Sequence, residues 1–145
     1  MTKVLFLSVK PRYARAILEG RKTIEVRRRF PTVPAGTVVV LYASSPERAI
    51  IGTVRLKEMI RIDPSEVWSM YADDIEIDEG SLDAYLAGAP ESTLLEVESP
   101  ETWASPVPLS VLRKTLGFEP PQSFRYLASE QVDSLRFNLG VAPAP

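Results

Sequence analysis

Residues 23–60 read TIEVRRRFPTVPAGTVVVLYASSPERAIIGTVRLKEMI and contain three strand patterns in a row. Polar and apolar side chains alternate at 23–27, residues 37–43 are rich in valine, and 49–60 form a long, largely apolar run. Turn residues separate these strands, and no helical pattern lies between them, which disfavours a doubly wound parallel sheet. We therefore predict an α+β fold, a small mixed or antiparallel β-barrel decorated by short α-helices.

Short helices and two further strands are predicted around this region. An apolar run at 3–9 predicts a buried strand, and Pro11 followed by an apolar stripe predicts a helix over 11–19. In the second half, a strand is predicted at 93–97. Apolar stripes there predict four short helices, one beginning at the aspartate cap Asp63, two ending before Gly88 and Gly117, and one capped by Ser129.

Length and composition restrict the class of protein. At 145 residues we expect one domain over 1–139, with 140–145 a flexible C-terminal tail. The absence of cysteine and histidine excludes a disulfide framework, a thiolate zinc site, a Ser-His-Asp triad and a histidine-pair ribonuclease mechanism. We expect no metal site and no cofactor. No run resembles a signal-peptide core or a membrane span, so we expect a cytoplasmic protein with no membrane partner.

The net charge of −2 conceals an asymmetry between the two halves of the chain. Residues 1–62 hold 13 Lys/Arg and 4 Asp/Glu, whereas residues 63–145 hold 4 Lys/Arg and 15 Asp/Glu. Such asymmetry favours contact between the basic part and nucleic acid or another anion. The alternative, equally open from charge alone, is that the halves neutralise each other across one core.

A dense group of charged residues lies at 20–29, GRKTIEVRRR. Glu25 and Arg27 share a strand face with Thr23, and Lys22 stands at the strand entrance. An arginine can hold a phosphate or carboxylate through two parallel hydrogen bonds, and a carboxylate can accept from a base edge. Two interpretations stay open from residue types alone, a ligand site or a surface strand with cross-paired charges.

Two further clusters combine hydroxyl, aromatic and cationic side chains at turns, YASSPER at 42–48 and PPQSFRY at 120–126. In the first, the tyrosine is suited to stack a base, and the serines and arginine are suited to bind a phosphate. In the second, two prolines stiffen the loop that carries Gln122, Ser123 and Arg125. The alternatives are a tyrosine that covers the core beside an ordinary turn, and a loop whose Phe124 and Tyr126 fill the core.

These segments together resemble a known family. The matching stretches are SVKP at 8–11, GRKTIEVR at 20–27, VLYASSP at 40–46, AIIG at 49–52 and GFEPPQSFRYL at 117–127. In this combination the chain resembles the ASCH domain family, which belongs to the PUA-like superfamily of small β-barrels. The resemblance implies a PUA-like barrel that binds RNA in a cleft between barrel and helices, near the Lys-Glu-Arg motif. Members similar to N4-acetylcytidine amidohydrolases use a lysine, a threonine and a glutamate; Lys22 matches the lysine, but Glu25 stands at the threonine position.

We therefore predict an RNA-binding domain that holds single-stranded or structured RNA, or a nucleoside-like ligand, in a basic cleft. The alternative is a metal-independent hydrolase in the same cleft, a ribonuclease on single-stranded RNA or a modified-nucleoside amidohydrolase. A third class is an interaction domain whose acidic half binds a basic partner. The candidate catalytic residues are Lys22, Glu25, Tyr42, Arg48 and Ser123. The candidate RNA-binding residues are Lys10, Arg12, Arg27, Ser44, Ser45, Gln122 and Arg125.

Overall fold

The fold is described by a computed structural model that covers residues 2–117 and 119–139. Its strands are β1 (Lys3–Val9), β2 (Ile24–Arg27), β3 (Val38–Ala43), β4 (Ala49–Ile62), β5 (Ser92–Pro108) and β6 (Phe124–Ala128). Its helices are α1 (Pro11–Leu18), α2 (Val67–Ile75), α3 (Glu79–Leu86), α4 (Leu109–Leu116) and α5 (Ser129–Asp133). A 3₁₀ turn (Pro64–Glu66) precedes α2, and a π-helical turn (Ser134–Leu139) follows α5. The predicted tail 140–145 lies outside the described residues.

All six strands form one sheet, in the order β2-β5-β4-β3-β1-β6. Only β1 and β3 run parallel among the described pairs, with Leu5 opposite Val39. The α+β class is confirmed. A closed barrel is not confirmed, because β2 and β6 stand at the two ends of the described sheet and no backbone ladder joins them. Register shifts at three points of the β4–β5 pair bend the long strands, as β-bulges do.

The sheet has apolar side chains on both faces, and different helices cover them. On one face, Leu5 and Leu7 of β1 pack with Ile17 of α1. On the other face, Phe6 of β1 packs in a cluster that includes Leu112 of α4. A third cluster joins β2 to α2 and α3 through Ile24, Val26, Ile75 and Leu82. Alternation along β1 and β2 therefore decides which helix each strand face meets.

Two strand predictions need correction. The predicted strand at 93–97 extends to Pro108, because bulges and the left-handed backbone of Ser99 carry the pairing past Pro100. The proline-rich stretch predicted as a loop leads into β6, which pairs antiparallel with β1. Trp103 is buried in the second cluster, and Trp68 and Tyr71 are partly buried against the third. Tyr85 is exposed.

The basic and acidic halves interleave in space. Ion pairs between the halves join Arg21 to Glu76, Lys57 to Glu96 and Arg61 to Glu91, and β4 of the basic half lies beside β5 of the acidic half. Neutralisation across one molecule therefore accounts for part of the asymmetry. Within residues 2–117 and 119–139, no helix combines the length and hydropathy needed to cross a membrane.

Candidate functional site

The side chain of Arg27, the last residue of β2, contacts both β1 and the loop before β6. Its Nε donates to Glu25 Oε2 at 3.0 Å, its Nη2 donates to the carbonyl oxygen of Ser8 at 2.8 Å, and its Nη1 donates to Ser123 Oγ at 3.2 Å. Glu25 and Arg27 are two residues apart on a strand, so their side chains point to the same side. One guanidinium thus connects β2 to the end of β1 and to the loop before β6.

Lys22 lies beneath this connection and is fully buried. Its Nζ donates to the carbonyl oxygen of Ile75 at 2.5 Å, lies 3.5 Å from Glu25 Oε1 and sits 5.0 Å from the centre of the Tyr13 ring. Burial lowers the pKa of Lys22, and the charge of Glu25 opposes that shift. The lysine therefore fixes the glutamate from below.

A cavity of about 620 Å³, here called the Glu25 cavity, opens beside these residues. Of the described side chains that line it, five are cationic and one, Glu25, is acidic. The cations are Lys10, Arg12, Arg27, Arg28 and Arg29. The polar and aromatic lining is completed by Ser8, Tyr13 of α1, Ser81 and Tyr85 of α3, Gln122 and Ser123. The combination of positive charge, aromatic rings and one fixed acceptor suits an anionic ligand that carries a planar ring.

A second, more open groove of about 460 Å³, here called the Tyr42 groove, lies at the end of β3. Tyr42 is only 4% exposed, and its ring stacks on Phe6 with centroids 5.5 Å apart. Other polar residues of the groove are Ser44, Ser45, Arg48, Arg113 and Glu119. Burial raises the pKa of Tyr42 above its usual 10.0, while Arg48 and Arg113 oppose the shift. The raised pKa keeps the phenol in its protonated form at neutral pH.

Backbone geometry sets the position of Arg48 at this groove. Its φ of 51° lies in the left-handed region, which a non-glycine residue seldom adopts. The carbonyl oxygen of Arg48 accepts from the N–H of Leu109 at 2.9 Å, which ties the turn to the start of α4. Arg113 of α4 is paired with Glu119 through two hydrogen bonds of 2.5 and 2.7 Å. Two arginines from different elements therefore face the same groove.

The loop before β6 separates the two sites. Ser8 Oγ donates to the carbonyl oxygen of Pro121 at 2.6 Å, and the N–H of Ser8 donates to the carbonyl oxygen of Ser123 at 2.9 Å. Pro120 and Pro121 fix their own φ angles, which stiffens the loop further. Ser8 and Gln122 line both the Glu25 cavity and the Tyr42 groove. A single anchored loop is therefore the shared wall of the two sites.

The structure distributes the predicted site residues over these two places. The predicted residues that line the Glu25 cavity are Lys10, Arg12, Glu25, Arg27, Gln122 and Ser123. Those that line the Tyr42 groove are Tyr42, Ser44, Ser45, Arg48 and Gln122. Lys22 lies under the cavity and does not line it, and Arg125 is exposed on β6 outside both linings. The five candidate catalytic residues are therefore not gathered at one point.

Several described residues that line the two sites were not among the candidate residues, including Tyr13, Arg28, Arg29, Tyr85, Arg113 and Glu119. Tyr85 reads as an apolar position of a short helix, and Arg113 reads as a cation in the last turn of a helix, where it favours the helix dipole. Glu119 stands before two prolines without a motif of its own. Only the folded chain brings Arg113 and Glu119 to Tyr42, so no local pattern identifies them.

Comparison with known proteins gives concordant results. The ASCH domain profile matches residues 7–114. An ASCH domain-containing ribonuclease of Zymomonas mobilis subsp. mobilis is 31% identical over 136 residues, which cover 92% of this chain and 90% of the relative. The crystal structure of ASCH from Zymomonas mobilis superposes with a TM-score of 0.84 at 29% identity, covering 90% of this chain and 92% of that one. Human THYN1, crystallised with 5-methylcytosine-containing DNA, shares the fold, with a TM-score of 0.59 at 13% identity over 97% of this chain and 98% of THYN1.

Proposed function

This chain belongs to the ASCH domain family, and we propose that it binds RNA and cleaves single-stranded RNA without a metal ion. The observation that carries the proposal is the Tyr42 groove, where a buried, protonated phenol faces two arginines. The Zymomonas mobilis relative that is named a ribonuclease supports the same activity. Phosphoryl transfer needs positioned positive charge and a proton donor more than it needs a protein nucleophile.

The proposed reaction uses the 2′-hydroxyl of the substrate as the nucleophile. The 2′-oxygen attacks the adjacent phosphorus and loses its proton to water, and the bond from phosphorus to the 5′-oxygen breaks. Tyr42 gives its proton to the departing 5′-oxygen and is reprotonated by water, so the products are a 2′,3′-cyclic phosphate and a 5′-hydroxyl. Arg48 and Arg113 stabilise the charge on the phosphorane oxygens. DNA lacks the 2′-hydroxyl and is not a substrate.

The remaining predicted residues take binding and positioning roles in this proposal. Lys10 and Arg12 contact phosphates that flank the cut, and Ser44 and Ser45 donate to the phosphate in the Tyr42 groove. Single-stranded RNA is favoured because its unstacked bases can enter the Glu25 cavity. We also propose that the curled sheet is a PUA-like barrel whose β2–β6 seam is the RNA entrance.

Lys22 is a positioning residue in this proposal. A modified-nucleoside amidohydrolase would need the lysine amine at the substrate, whereas Lys22 donates to a backbone carbonyl and is fully buried. Its contact with Glu25 keeps the carboxylate in the cavity wall. The burial of Lys22 therefore argues against the amidohydrolase alternative and is compatible with the ribonuclease.

The test is a cleavage and binding assay in excess EDTA with labelled single-stranded RNA, the matching DNA and duplex RNA. We expect cleavage of single-stranded RNA alone, and loss of that cleavage in Tyr42→Phe. Tyr126→Phe is the matched control, because Tyr126 lies on β6 outside both sites. RNA that is bound but left intact would reduce the proposal to a binding module. Cleavage that is unchanged in Tyr42→Phe would contradict the proposed chemistry.

A further inference from the structure

We propose that the Glu25 cavity is a base-reading subsite that selects guanine in the nucleotide next to the cleaved bond. The inference rests on the proposed function, since it names the base that the same protein holds during cleavage. It follows from three features of the cavity: a fixed carboxylate in its wall, two tyrosine rings beside it, and a wall shared with the Tyr42 groove.

The Glu25 carboxylate is held in one orientation but keeps acceptor capacity. Arg27 contacts Oε2 through Nε at 3.0 Å and Nη2 at 2.8 Å, and Lys22 Nζ lies 3.5 Å from Oε1. A carboxylate offers about four acceptor positions, two on each oxygen. Arg27 Nε donates a hydrogen bond to Oε2, whereas Nη2 donates to the carbonyl oxygen of Ser8, so each carboxylate oxygen keeps an acceptor position. The side chain is 9% exposed, and that exposure is toward the cavity it lines. A ligand with two adjacent N–H donors can therefore meet a rigid, pre-oriented acceptor.

Only guanine among the four RNA bases presents two adjacent donors, N1–H and N2–H, on its Watson–Crick edge. Uracil presents one N–H between two carbonyl oxygens, while adenine and cytosine each place a ring-nitrogen lone pair beside the amino group. A carboxylate accepts and does not donate, so it repels each of those neighbouring acceptors. Bases of single-stranded RNA are read on this edge once they are unstacked.

The other walls of the cavity fit the rest of a guanine nucleotide. Tyr85 is 42% exposed, which leaves aromatic surface for a base to stack on. The Tyr13 ring is already contacted by Arg12, whose guanidinium lies 4.7 Å from the ring centre, and it adds a polar edge to the wall. The amide of Gln122 can donate to guanine O6, and Arg28 provides positive charge for a phosphate. Gln122 also lines the Tyr42 groove, so a base in the cavity and a phosphate in the groove belong to neighbouring parts of one strand.

The first test measures binding of nucleoside monophosphates to the intact protein by calorimetry, without any cleavage step. Guanosine monophosphate is expected to bind at least ten times more tightly than the adenosine, cytidine and uridine monophosphates. Inosine monophosphate differs from it only by the missing N2 amino group, and it is expected to bind about tenfold more weakly. Equal affinity for the inosine and guanosine nucleotides would overturn the inference.

Variants separate base reading from general affinity. Glu25→Gln is expected to abolish the preference for guanosine over inosine monophosphate. Tyr85→Ala is expected to weaken all the nucleotides by a similar factor, whereas Tyr126→Ala, a comparably exposed tyrosine outside the cavity, leaves binding unchanged. If Glu25→Gln does not fold, the comparison of inosine and guanosine monophosphate on the natural chain still decides the inference.

Mapping the cut sites in an RNA of mixed sequence then links the subsite to the reaction. Cuts at one fixed position relative to guanine, which shift or weaken when inosine replaces guanine, support the inference. Cleavage without base preference would leave the proposed ribonuclease standing and overturn the base-reading subsite. Selective binding of guanosine monophosphate without RNA cleavage would support the subsite and remove the ribonuclease.

Discussion

The Glu25 cavity and the Tyr42 groove both pair cations with a glutamate, but they bury those pairs to opposite extents. At the cavity, the side chains of Lys22 beneath the wall and of Glu25 and Arg27 in the wall are 0%, 9% and 11% exposed. In the groove, those of Arg113 and Glu119 are 53% and 63% exposed. Removing one partner of a buried pair leaves an uncompensated charge, whereas an exposed pair exchanges its partner for water at little cost. We therefore expect the buried ion pairs at the cavity to keep a fixed geometry. We expect the exposed Arg113 of the groove to be able to exchange Glu119 for a phosphate.

The largest expected effect separates reaction from binding. Tyr42→Phe removes the proposed proton donor, so kcat on single-stranded RNA is expected to fall about 10²- to 10⁴-fold with little change in KM. Tyr85→Ala removes only stacking surface in the Glu25 cavity and is expected to raise KM while most of kcat is retained. Steady-state kinetics on one RNA checks both variants. If Tyr42→Phe raised KM and left kcat unchanged, the Tyr42 groove would be a site of RNA binding. Its proposed role in the chemical step would then be wrong.

The next effect is on stability and compares the two glutamates. Glu25→Ala leaves the buried Lys22 without a carboxylate to balance its charge and is expected to lower the free energy of unfolding by about 3–5 kcal/mol. Glu119→Ala breaks an exposed pair and is expected to change it by less than about 1 kcal/mol. Urea unfolding of both variants measures the difference. Similar losses in the two variants would show that the two ion pairs are not energetically distinct.

A smaller effect concerns the left-handed backbone of Arg48. Arg48→Gly and Arg48→Ala both delete the guanidinium, but only glycine adopts a positive φ without a steric penalty. We expect Arg48→Gly to be about 1 kcal/mol more stable than Arg48→Ala, and both to weaken RNA binding. Each lost phosphate contact should reduce the slope of log affinity against log salt by about 0.7. An unchanged salt slope would place Arg48 outside the phosphate contact.

The smallest effect is the pH dependence that Lys22 contributes to stability. Burial lowers the pKa of Lys22 in the folded chain, so between that lowered value and the ordinary 10.5 the unfolded chain binds more protons. Stability rises with pH wherever the unfolded state binds more protons. The free energy of unfolding of the natural chain, measured relative to Lys22→Met, is therefore expected to increase with pH in this window. A difference that falls with rising pH there would mean that Glu25 outweighs burial.

Much of the fold was predictable because its strands and helices carry local patterns. The strand starts at Lys3 and Ala49 and the helix over 11–18 follow from apolar runs and Pro11. The length of β5 and the existence of β6 were not, since prolines within or before these strands indicate loops. Bulges and pairing with β1 overcome that local preference. The strand order of the sheet is also a property of the whole chain, and alternation along single strands does not determine it.

The candidate site was predictable where residue types cluster along the sequence. Glu25, Arg27, Tyr42 and Arg48 lie in dense motifs, and each lines one of the two sites. Lys22 lies in the same motif as Glu25 and Arg27, yet its amine is buried and donates to a backbone carbonyl of α2. Strand alternation does not reveal that contact. Arg113 enters the groove from a helix distant in sequence. The division of the motif residues between two sites is therefore a result of the fold alone.

The central claim is that the 2′-hydroxyl of the substrate is the nucleophile. Its most direct test uses four DNA strands that each contain one ribonucleotide at the same position. The base of that ribonucleotide is guanine, adenine, cytosine or uracil. We expect cleavage in EDTA only at the bond that follows the ribonucleotide. One product should carry a 2′,3′-cyclic phosphate and the other a 5′-hydroxyl, both identified by mass spectrometry. Cleavage at deoxynucleotides, or a product with a 5′-phosphate, would contradict a reaction driven by the substrate's own 2′-hydroxyl.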